Sequence, residues 1–214
     1  MDGTSFEAMK SGNSVWRILE NPVVYRFSQR LLAPGSEARI TTEVKSFLDS
    51  RIVPRHDQRN LEVGCGPISL LWNLELKTVG LDSVHSASVS FKNQGGSAIT
   101  GSVLALPFFN HSFDIIWNFG LLHHLSDEMV QRAIGEMVRV VCPGGWVIMF
   151  DGVLPRSFWL NPPVWLLRKL DRGRHMRKQE ELENLLPGPK GWHVKRFCYS
   201  LWGNEGILCA YRKN

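Results

Sequence analysis

Short apolar runs alternate with longer amphipathic stretches along most of the chain. Five of these runs have the length and composition of buried strands, and helix-length segments separate them. The runs cover residues 60–64, 77–82, 97–100, 113–119 and 145–151. Strands that alternate with helices predict an open, doubly wound α/β fold, in which helices pack on both faces of a mostly parallel sheet.

Two of the stretches carry the signals of amphipathic helices. Residues 36–52 begin with Ser36 as a predicted N-cap, and residues 126–141 begin with Ser126 and stop at "CPGG". Apolar side chains recur at helical spacing in both stretches, at Ile40, Val44, Phe47 and Leu48 in the first and at Met129, Ile134, Met137 and Val138 in the second. We therefore expect each helix to pack one face against the sheet.

Two regions flank this alternating pattern. Residues 193–200 and 206–212 are apolar runs joined by a short link, which predicts an antiparallel hairpin at a sheet edge. Residues 1–35 contain a helical pattern and are predicted to form an N-terminal cap, which leaves residues 36–214 as the main domain.

Composition and charge limit the class of protein. The chain has 214 residues, of which 43% are hydrophobic and 21% charged, and this is typical of one globular domain. A formal net charge of +5 favours anionic partners without singling out nucleic acid. The four cysteines form no C-x-x-C pair and no Cys/His cluster, so no metal site is predicted.

The sequence carries no targeting or membrane-spanning pattern. Its first residues lack the basic leader and apolar core of a signal peptide. No apolar run approaches the roughly 18 residues of a membrane span. We therefore expect a soluble, cytoplasmic protein.

The stretch "LEVGCGP" lies where the first predicted strand ends. In a doubly wound sheet, ligands bind beyond the carboxyl ends of the strands, and the first strand-to-helix loop is the favoured place. Gly64 and Gly66 would let the backbone approach a ligand closely. Asp82, followed by Ser83, ends the second strand and is suited to accept hydrogen bonds from both hydroxyls of a ribose. Adenine would then lie near Ser102 and Val103, after the third strand.

The same loop distinguishes between two kinds of nucleotide. A dinucleotide loop carries a third glycine that lets the helix N-terminus face a pyrophosphate, and here Ser69 stands in its place. The carboxylate of Glu62 would repel a pyrophosphate but would suit a ligand with a cationic amino-acid end. This favours S-adenosylmethionine over NAD, and a nicotinamide-dependent oxidoreductase remains an alternative.

Four motifs together resemble a known family, the class I S-adenosylmethionine-dependent methyltransferases, in particular the "methyltransferase type 11" group. They are "LEVGCGP", "VGLD", "LALPFFNHSFDIIWNFGLLHHL" and "RVVCPGGWVIMFD". The resemblance runs from about residue 36 to the C-terminus and is strongest over residues 60–151. It implies S-adenosylmethionine as cofactor and a seven-stranded sheet of order 3-2-1-4-5-7-6 with strand 7 antiparallel.

The resemblance also implies further cofactor contacts. Asn118 and Phe119 would meet the amino-acid end of the cofactor at the end of strand 4, beside the loop that holds Cys65. Tyr25, from the N-terminal cap, would close over the same end. The chain departs from the family at Ser102, where an acidic residue is common, and it lacks a further glycine near Ile68. These departures motivate a second hypothesis, a non-catalytic subunit that binds the cofactor and acts through a partner.

His123 and His124 are the candidate catalytic residues. One of them stands where a general base or a substrate-orienting group could act, and histidine titrates near neutral pH. The alternative is that the pair only packs the loop, because methyl transfer is a single displacement that positioning alone can accelerate.

The segment at about 153–190 is where the resemblance places a substrate cap. Trp159, Arg168 and Arg172 are its candidate substrate contacts, within a run of cations that extends to residue 178. This pattern predicts a small or lipid-like, anionic acceptor. Tryptophans beside arginines also suit contact with a membrane surface, whereas we do not expect nucleic acid as a partner. The alternative is a solvated basic helix with no role in binding.

Overall fold

The computed structural model describes residues 27, 31–52, 55, 57–156, 162, 165–166, 175–188 and 191–214. Seven strands lie in these residues: β1 (Asn60–Val63), β2 (Thr78–Asp82), β3 (Ser97–Thr100), β4 (Phe113–Phe119), β5 (Val141–Val153), β6 (Trp192–Cys198) and β7 (Glu205–Arg212). Four α-helices accompany them: α1 (Ser36–Arg51), α2 (His85–Asn93), α3 (Asp127–Val140) and α4 (Gln179–Glu183). None of the helices in this part of the chain is long and apolar enough to span a membrane. The predicted N-terminal cap lies almost wholly outside the described residues.

The strands form one sheet of order β3-β2-β1-β4-β5-β7-β6. Strands β1 to β5 pair in parallel, whereas β7 runs antiparallel to both β5 and β6. The predicted fold class, the strand order and the C-terminal hairpin are therefore confirmed. Because β1 to β5 are parallel, their carboxyl ends meet at one side of the sheet, which we call the carboxyl edge.

Alternate residues of the central strand β4 enter two cores. Ile116 is buried in the core that contains the apolar face of α3. Ile115 and Trp117 are buried in the opposite core, which contains Ile40 and Val44 of α1. The period of two along the strand thus lets a single run of apolar residues fill both faces of the sheet.

The two predicted helices differ from expectation at their ends and faces. Ser126 caps α3 as predicted, because its Oγ accepts a hydrogen bond from the Met129 backbone N–H at 3.4 Å. The Ser36 N-cap is wrong: the cap position is Gly35, whose φ of 77° is left-handed and which provides no side-chain hydrogen bond. Of the predicted stripe in α3, Ile134 and Met137 are fully buried, whereas Met129 and Val138 are only partly buried. Val130, Ala133 and Val140, which the sequence pattern missed, complete the buried face.

The connection from β1 to β2 has less helix than the alternating pattern predicts. It contains only a 3₁₀ turn, Leu70–Leu74, where a full helix was expected. Ser69 begins this turn, since its Oγ accepts a hydrogen bond from the Leu71 N–H at 3.0 Å. The loop after β1 therefore ends in a side-chain cap rather than in a glycine packed under a long helix.

Asp114 joins the start of β4 to the residues that precede β1. Its carboxylate accepts hydrogen bonds from the Arg59 backbone N–H at 2.9 Å and from the Arg59 Nε at 3.3 Å, and Arg55 Nη2 lies 3.3 Å away. Burial would raise the pKa of Asp114, but the hydrogen bonds and charge of Arg59 outweigh burial and hold the pKa below its ordinary value. The ionised carboxylate therefore stabilises the fold at neutral pH.

We expect Asp114→Asn to lower the free energy of unfolding by about 1 kcal/mol at pH 7, since both arginine partners are half exposed to solvent. The stabilisation by a carboxylate of lowered pKa is present above its unfolded pKa and is lost as the pH falls through its folded pKa. Urea unfolding of the two proteins should therefore give curves that converge in acid. Asp49→Asn, at an exposed position of α1, is the matched control. A difference that persists in acid would assign the effect to something other than this ion pair.

Candidate active site

The loop after β1 turns at two glycines. Gly64 and Gly66 have φ angles of 69° and 59°, in the left-handed region that favours glycine. The N–H groups of Gly64 and Cys65 both donate to the Leu81 carbonyl, at 2.7 and 3.2 Å, so the loop crosses the end of β2. A Cβ on Gly64 would lie 3.0 Å from the Leu121 side chain, whereas a Cβ on Gly66 would meet no atom within 4 Å among the described residues. Of these two glycines, Gly66 is the one with open space beside it in the part of the chain that the structure describes.

The side chain of Cys65 points away from that open space. It is 3% exposed and belongs to a small core with Phe91 and Ala98. Its sulfur lies over Gly80, where a Cβ would come within 2.7 Å of it. Burial raises the pKa of the Cys65 thiol, so the thiolate is disfavoured and Cys65 can contribute to a ligand only through its backbone.

Asp82 ties this loop to the end of β2. Its Oδ2 accepts a hydrogen bond from the Gly66 N–H at 2.9 Å, and its Oδ1 accepts one from the Val84 N–H at 2.8 Å. Asp82 is half-buried, as is its neighbour Ser83. The structure thus brings the predicted ribose carboxylate within one hydrogen bond of the predicted glycine loop.

The exit of β3 joins the same group of residues. The Gly101 N–H donates to the Asp82 carbonyl at 2.9 Å, which brings the following residues beside the end of β2. Ser102 is exposed, and its Oγ accepts a hydrogen bond from the Leu104 N–H at 3.2 Å. Val103 is buried in the α3-side core, so its backbone rather than its side chain is placed to meet a ligand.

Glu62 lies beneath the loop rather than at its mouth. Its side chain is only 2% exposed and accepts a hydrogen bond from the Ser69 hydroxyl. Burial raises the pKa of Glu62 to about 8, while the Ser69 hydrogen bond acts in the opposite direction. Ser69, which the sequence marks only as a missing glycine, therefore partners this carboxyl group and caps the following turn.

Asn118 supplies a buried polar group where β4 ends. Its Nδ2 donates to the Val63 carbonyl at 2.8 Å, and this bond joins the carboxyl ends of β1 and β4. Its Oδ1 is buried and makes no hydrogen bond within the described part of the chain. Such an acceptor is costly to leave unpaired, so a ligand donor that reaches this position would stabilise it. Phe119 follows, half-buried and stacked on Trp117 with 6.1 Å between ring centroids.

The two candidate histidines lie in different environments in the structure. His123 Nδ1 lies 2.6 Å from Asp151 Oδ1, and the His123 backbone N–H donates to Asp151 Oδ2 at 3.1 Å. His124 is exposed, and its ring lies 4.1 Å from that of His123. Sequence reasoning missed Asp151, although a carboxylate ends the fifth apolar run as Asp82 ends the second. Burial would raise the pKa of Asp151, but the charge and hydrogen bonds of His123 outweigh burial and lower that pKa.

Arg177 lies in the predicted run of cations, but its side chain is buried and contacts the protein itself. It is 6% exposed and donates to the carbonyls of Leu122 and Leu125, at 3.0 and 2.6 Å. It also forms an ion pair with Asp127 at 2.7 Å. Arg177 thus fastens the chain segment before α4 to the turn that carries His123.

Several predicted site residues lie outside the described part of the chain. They are Tyr25, Trp159, Arg168 and Arg172. Their assignments to the cofactor and to the acceptor stay predictions.

Comparisons with known proteins agree with this geometry. A family model described as "Methyltransferase domain" matches residues 61–149, which include the glycine loop, Asp82 and both histidines. The crystal structure of an S-adenosylmethionine-dependent methyltransferase from Thermotoga maritima superposes with a TM-score of 0.70 at 19% identity, over 93% of this chain and 100% of that chain. This likeness shows a shared fold.

Two curated relatives are more similar in sequence. Human "Probable tRNA methyltransferase 9B" is 32% identical over 152 residues, which are 70% of this chain and 30% of that protein. The "tRNA (carboxymethyluridine(34)-5-O)-methyltransferase" of Arabidopsis thaliana is 33% identical over 91 residues, 42% of this chain and 22% of that protein. The chain therefore spans less than a third of the length of either relative.

These relatives correct one prediction made from the sequence. Nucleic acid was not expected as a partner, because the basic residues are local and no known nucleic-acid-binding module is present. Both relatives are named as tRNA methyltransferases, and this finding overturns that expectation.

The residues at the carboxyl edge fit the cofactor that the resemblance implies. Among the described residues, no atom lies within 4 Å of a Cβ added to Gly66, whose N–H donates to the Asp82 carboxylate, and the Asn118 Oδ1 is a buried acceptor at the end of β4. The matched family model, the superposed fold and the order of the four motifs all agree. The chain therefore carries a methyltransferase domain match over residues 61–149 and shares the fold of the class I S-adenosylmethionine-dependent methyltransferases.

Proposed function

We propose that this protein transfers a methyl group from S-adenosylmethionine to a nucleoside of RNA, and that tRNA is its substrate class. The observation that carries the proposal is the set of groups at the carboxyl edge, where the open side of Gly66 adjoins the Asp82 carboxylate. The acceptor class is supported by the two relatives, 32% and 33% identical, that are named as tRNA methyltransferases.

Different residues of the chain would contact different parts of the cofactor. Asp82 would accept hydrogen bonds from the ribose hydroxyls, and the backbone after Gly64 would follow the amino-acid end. The Asn118 Oδ1 would accept a hydrogen bond that it lacks among the described residues. When bound, the cofactor supplies an electrophilic methyl group on a sulfonium, and the protein positions the acceptor in line with it.

Exposed basic side chains lie beside the proposed acceptor site. Arg156 follows β5, and His175 and Lys178 flank the buried Arg177. The His175 backbone N–H donates to the His123 carbonyl at 3.1 Å, so this basic rim adjoins the turn that carries the histidines. Cations at the rim would neutralise phosphates and orient an RNA, while the nucleoside itself would be recognised within the site.

The central test is methyl transfer from S-adenosyl-[methyl-³H]methionine to bulk tRNA. We expect ribonuclease-sensitive label with the wild-type protein and little with Asp82→Ala. That variant should bind S-adenosylmethionine at least about tenfold more weakly in calorimetry, since a hydrogen bond to a charged group contributes roughly 1.5–3 kcal/mol. Asp114→Asn is the matched control, a carboxylate remote from the carboxyl edge.

The rim gives the same test a second arm. Arg156→Ala with Lys178→Ala should raise KM for tRNA and reduce the salt dependence of binding, without changing cofactor affinity. Label that appears in small acids or in lipid vesicles but in no RNA would contradict the proposed acceptor class. Unchanged cofactor affinity in folded Asp82→Ala would contradict the assignment of the ribose contact.

Two glycines with the same kind of backbone conformation allow the role of the glycine loop to be tested. Gly66→Ala and Gly144→Ala both place an alanine at positive φ with no atom within 4 Å of the new Cβ among the described residues. Each should therefore lose a similar stability, roughly 1–3 kcal/mol. Only Gly66→Ala should also lose S-adenosylmethionine affinity, because only that Cβ would occupy the ligand's space. Thermal unfolding without ligand, followed by calorimetry, separates the two effects.

The comparison also has a clear negative outcome. Gly64→Ala should destabilise the ligand-free protein more than either variant, because its Cβ would press on Leu121 at 3.0 Å. If Gly66→Ala binds the cofactor as tightly as Gly144→Ala does, the open space beside Gly66 is not the cofactor site.

Glu62 makes stability depend on pH in a direction that can be measured. Its pKa is raised from 4.5 to about 8 in the folded protein, so the folded state binds more protons than the unfolded state between these values. Its contribution to the free energy of unfolding should therefore fall by up to about 1.4 kcal/mol per pH unit across this window. In urea unfolding, the free energy of unfolding of Glu62→Gln should rise relative to that of the wild type between pH 5 and pH 8. Parallel pH profiles would mean that Glu62 titrates normally.

A further inference from the structure

A groove lies between α1 and the C-terminal hairpin, on the face of the sheet that α1 covers. Residues of one side of the helix and of β6 and β7 line it, and its volume is about 260 Å³. Phe47 of α1 and the buried Leu208 and Ala210 of β7 supply the apolar part of the lining. We call this cavity the α1–β6 groove.

Two polar contacts cross the groove, and they differ in charge. Glu43 of α1 forms an ion pair with Lys195 of β6, so the two charges offset each other at this crossing. At the other crossing, Arg51 Nη1 of α1 lies 3.0 Å from Nε2 of His193 of β6. A guanidinium has donors only, so the His193 ring accepts through Nε2 and is neutral in this contact. The second crossing therefore carries the positive charge of Arg51 without a carboxylate partner.

The guanidinium of Arg51 is held in place but keeps donors for a ligand. Its Cζ lies 5.7 Å from the centroid of the Phe47 ring, in addition to the contact with His193. Among the residues that the structure describes, Arg51 forms no ion pair. Because a guanidinium has five N–H donors, one contact with His193 leaves others for a bound anion.

Arg212 adds a second cation at the same aromatic cluster. Its Cζ lies 5.9 Å from the centroid of the Trp146 ring, which packs edge to face against Phe47 with 5.5 Å between centroids. Arg212 likewise forms no ion pair within the described part of the chain. Two arginines without carboxylate partners thus contact one pair of packed rings, and one of these arginines lines the groove.

A phosphate group fits the chemistry of this end of the groove. The planar guanidinium can donate two parallel N–H bonds to a phosphate, and such bonds are stronger than those between neutral groups. The hydroxyl groups of Ser46 and Ser50 line the same cavity, and serine hydroxyls are common phosphate contacts in nucleic-acid complexes. The lining therefore favours an anion at the Arg51 crossing over one at the Glu43 crossing.

The groove is separate from the carboxyl edge. His193 is the second residue of β6, and β6 runs parallel to β5, because β7 is antiparallel to both. Five residues of strand, from His193 to Cys198, span about 17 Å. A small acceptor bound at the carboxyl edge would not reach the Arg51 crossing, whereas a polynucleotide can contact both places.

We propose that the α1–β6 groove binds a phosphate of the RNA backbone through Arg51 and His193, outside the site of methyl transfer. This inference goes beyond the proposed function and rests on it for the identity of the RNA. Contacts to the backbone fix the position of a nucleic acid without reading its sequence. The groove would thus hold the body of the substrate while one nucleoside enters the carboxyl edge.

Binding of bulk tRNA in the absence of cofactor tests the groove directly. We expect Arg51→Gln combined with His193→Gln to weaken binding by about five- to tenfold in fluorescence anisotropy, since charge-assisted contacts at exposed sites are partly screened by solvent. The slope of log Kd against the logarithm of salt concentration should fall by about one. Arg39→Gln, an exposed arginine of α1 that does not line the groove, is the matched control. Wild-type affinity and salt slope in the double variant would overturn the proposal.

Glu43 allows a change in the opposite direction. Glu43→Gln removes the negative charge from the lining and leaves Lys195 without its ion-pair partner. We expect tRNA to bind about two- to fivefold more tightly, within the range of an exposed charge interaction. If the two crossings only join α1 to β6, both variants should lower the free energy of urea unfolding and neither should change tRNA affinity. Weaker tRNA binding by folded Glu43→Gln would also overturn the proposal.

Inorganic phosphate tests the groove without RNA or turnover. In protein with labelled histidine at pH 7 and constant ionic strength, the ring signal of His193, assigned with His193→Gln, should shift and saturate as phosphate is added. Arg51→Gln should remove the saturation, and Arg39→Gln should keep it. A His193 signal that does not respond to phosphate, or that responds equally in both arginine variants, would overturn the site.

Two further outcomes separate this inference from the proposed function. Vesicles with anionic headgroups that require Arg51 and His193 for binding, while tRNA does not, would overturn the assignment of the phosphate to RNA. A wild-type protein that binds tRNA through the groove but transfers no label to it would contradict the proposed function and support the groove.

Discussion

The carboxylate of Asp82 holds together the chain segments that meet beside the point where the strand order reverses. Its two oxygens accept the N–H groups of Gly66 and Val84, so one side chain fixes both the loop after β1 and the entry to α2. The carbonyl of the same residue accepts the Gly101 N–H at the exit of β3. The site therefore depends on one residue that orders three loops before any ligand arrives, and preorganisation of this kind lowers the cost of binding.

Much of the fold follows from local patterns in the sequence. The apolar run at 113–119 coincides with β4, because a buried parallel strand needs a continuous apolar segment of that length. The run at 97–100 coincides with β3, which lies at the edge of the sheet and buries only Ala98. The ends of the helices were harder to predict from the sequence. Gly35, rather than Ser36, is the N-cap of α1, because it adopts a left-handed backbone conformation that composition does not reveal. The positions of the glycine loop and of Asp82 were also predictable, because the loop directly follows β1 and Asp82 is the last residue of β2.

The remaining site features depend on contacts between residues far apart in the chain. Asp151 meets His123 across 28 positions, and Arg177 meets Leu122 across 55, so no local spacing could indicate either contact. The role of Ser69 was hidden for a different reason, since it compensates for a buried Glu62 whose burial was not expected. The nucleic-acid relatives were not expected from the sequence, because net charge measures attraction to anions but does not distinguish a nucleic acid from other anionic molecules.

The 3₁₀ turn in the connection between β1 and β2 has a consequence for how this domain folds. With only a 3₁₀ turn there, the face of the sheet that includes Trp117 is covered by α1, which precedes β1 in the chain. The edge-to-face contact of Phe47 with Trp146, 5.5 Å between ring centroids, belongs to the same cover. A fragment limited to the motif-bearing residues 61–149 would lose α1 and expose this apolar face to water. We therefore expect residues 61–149 to need α1 in order to fold, although α1 lies outside the region that carries the family's motifs.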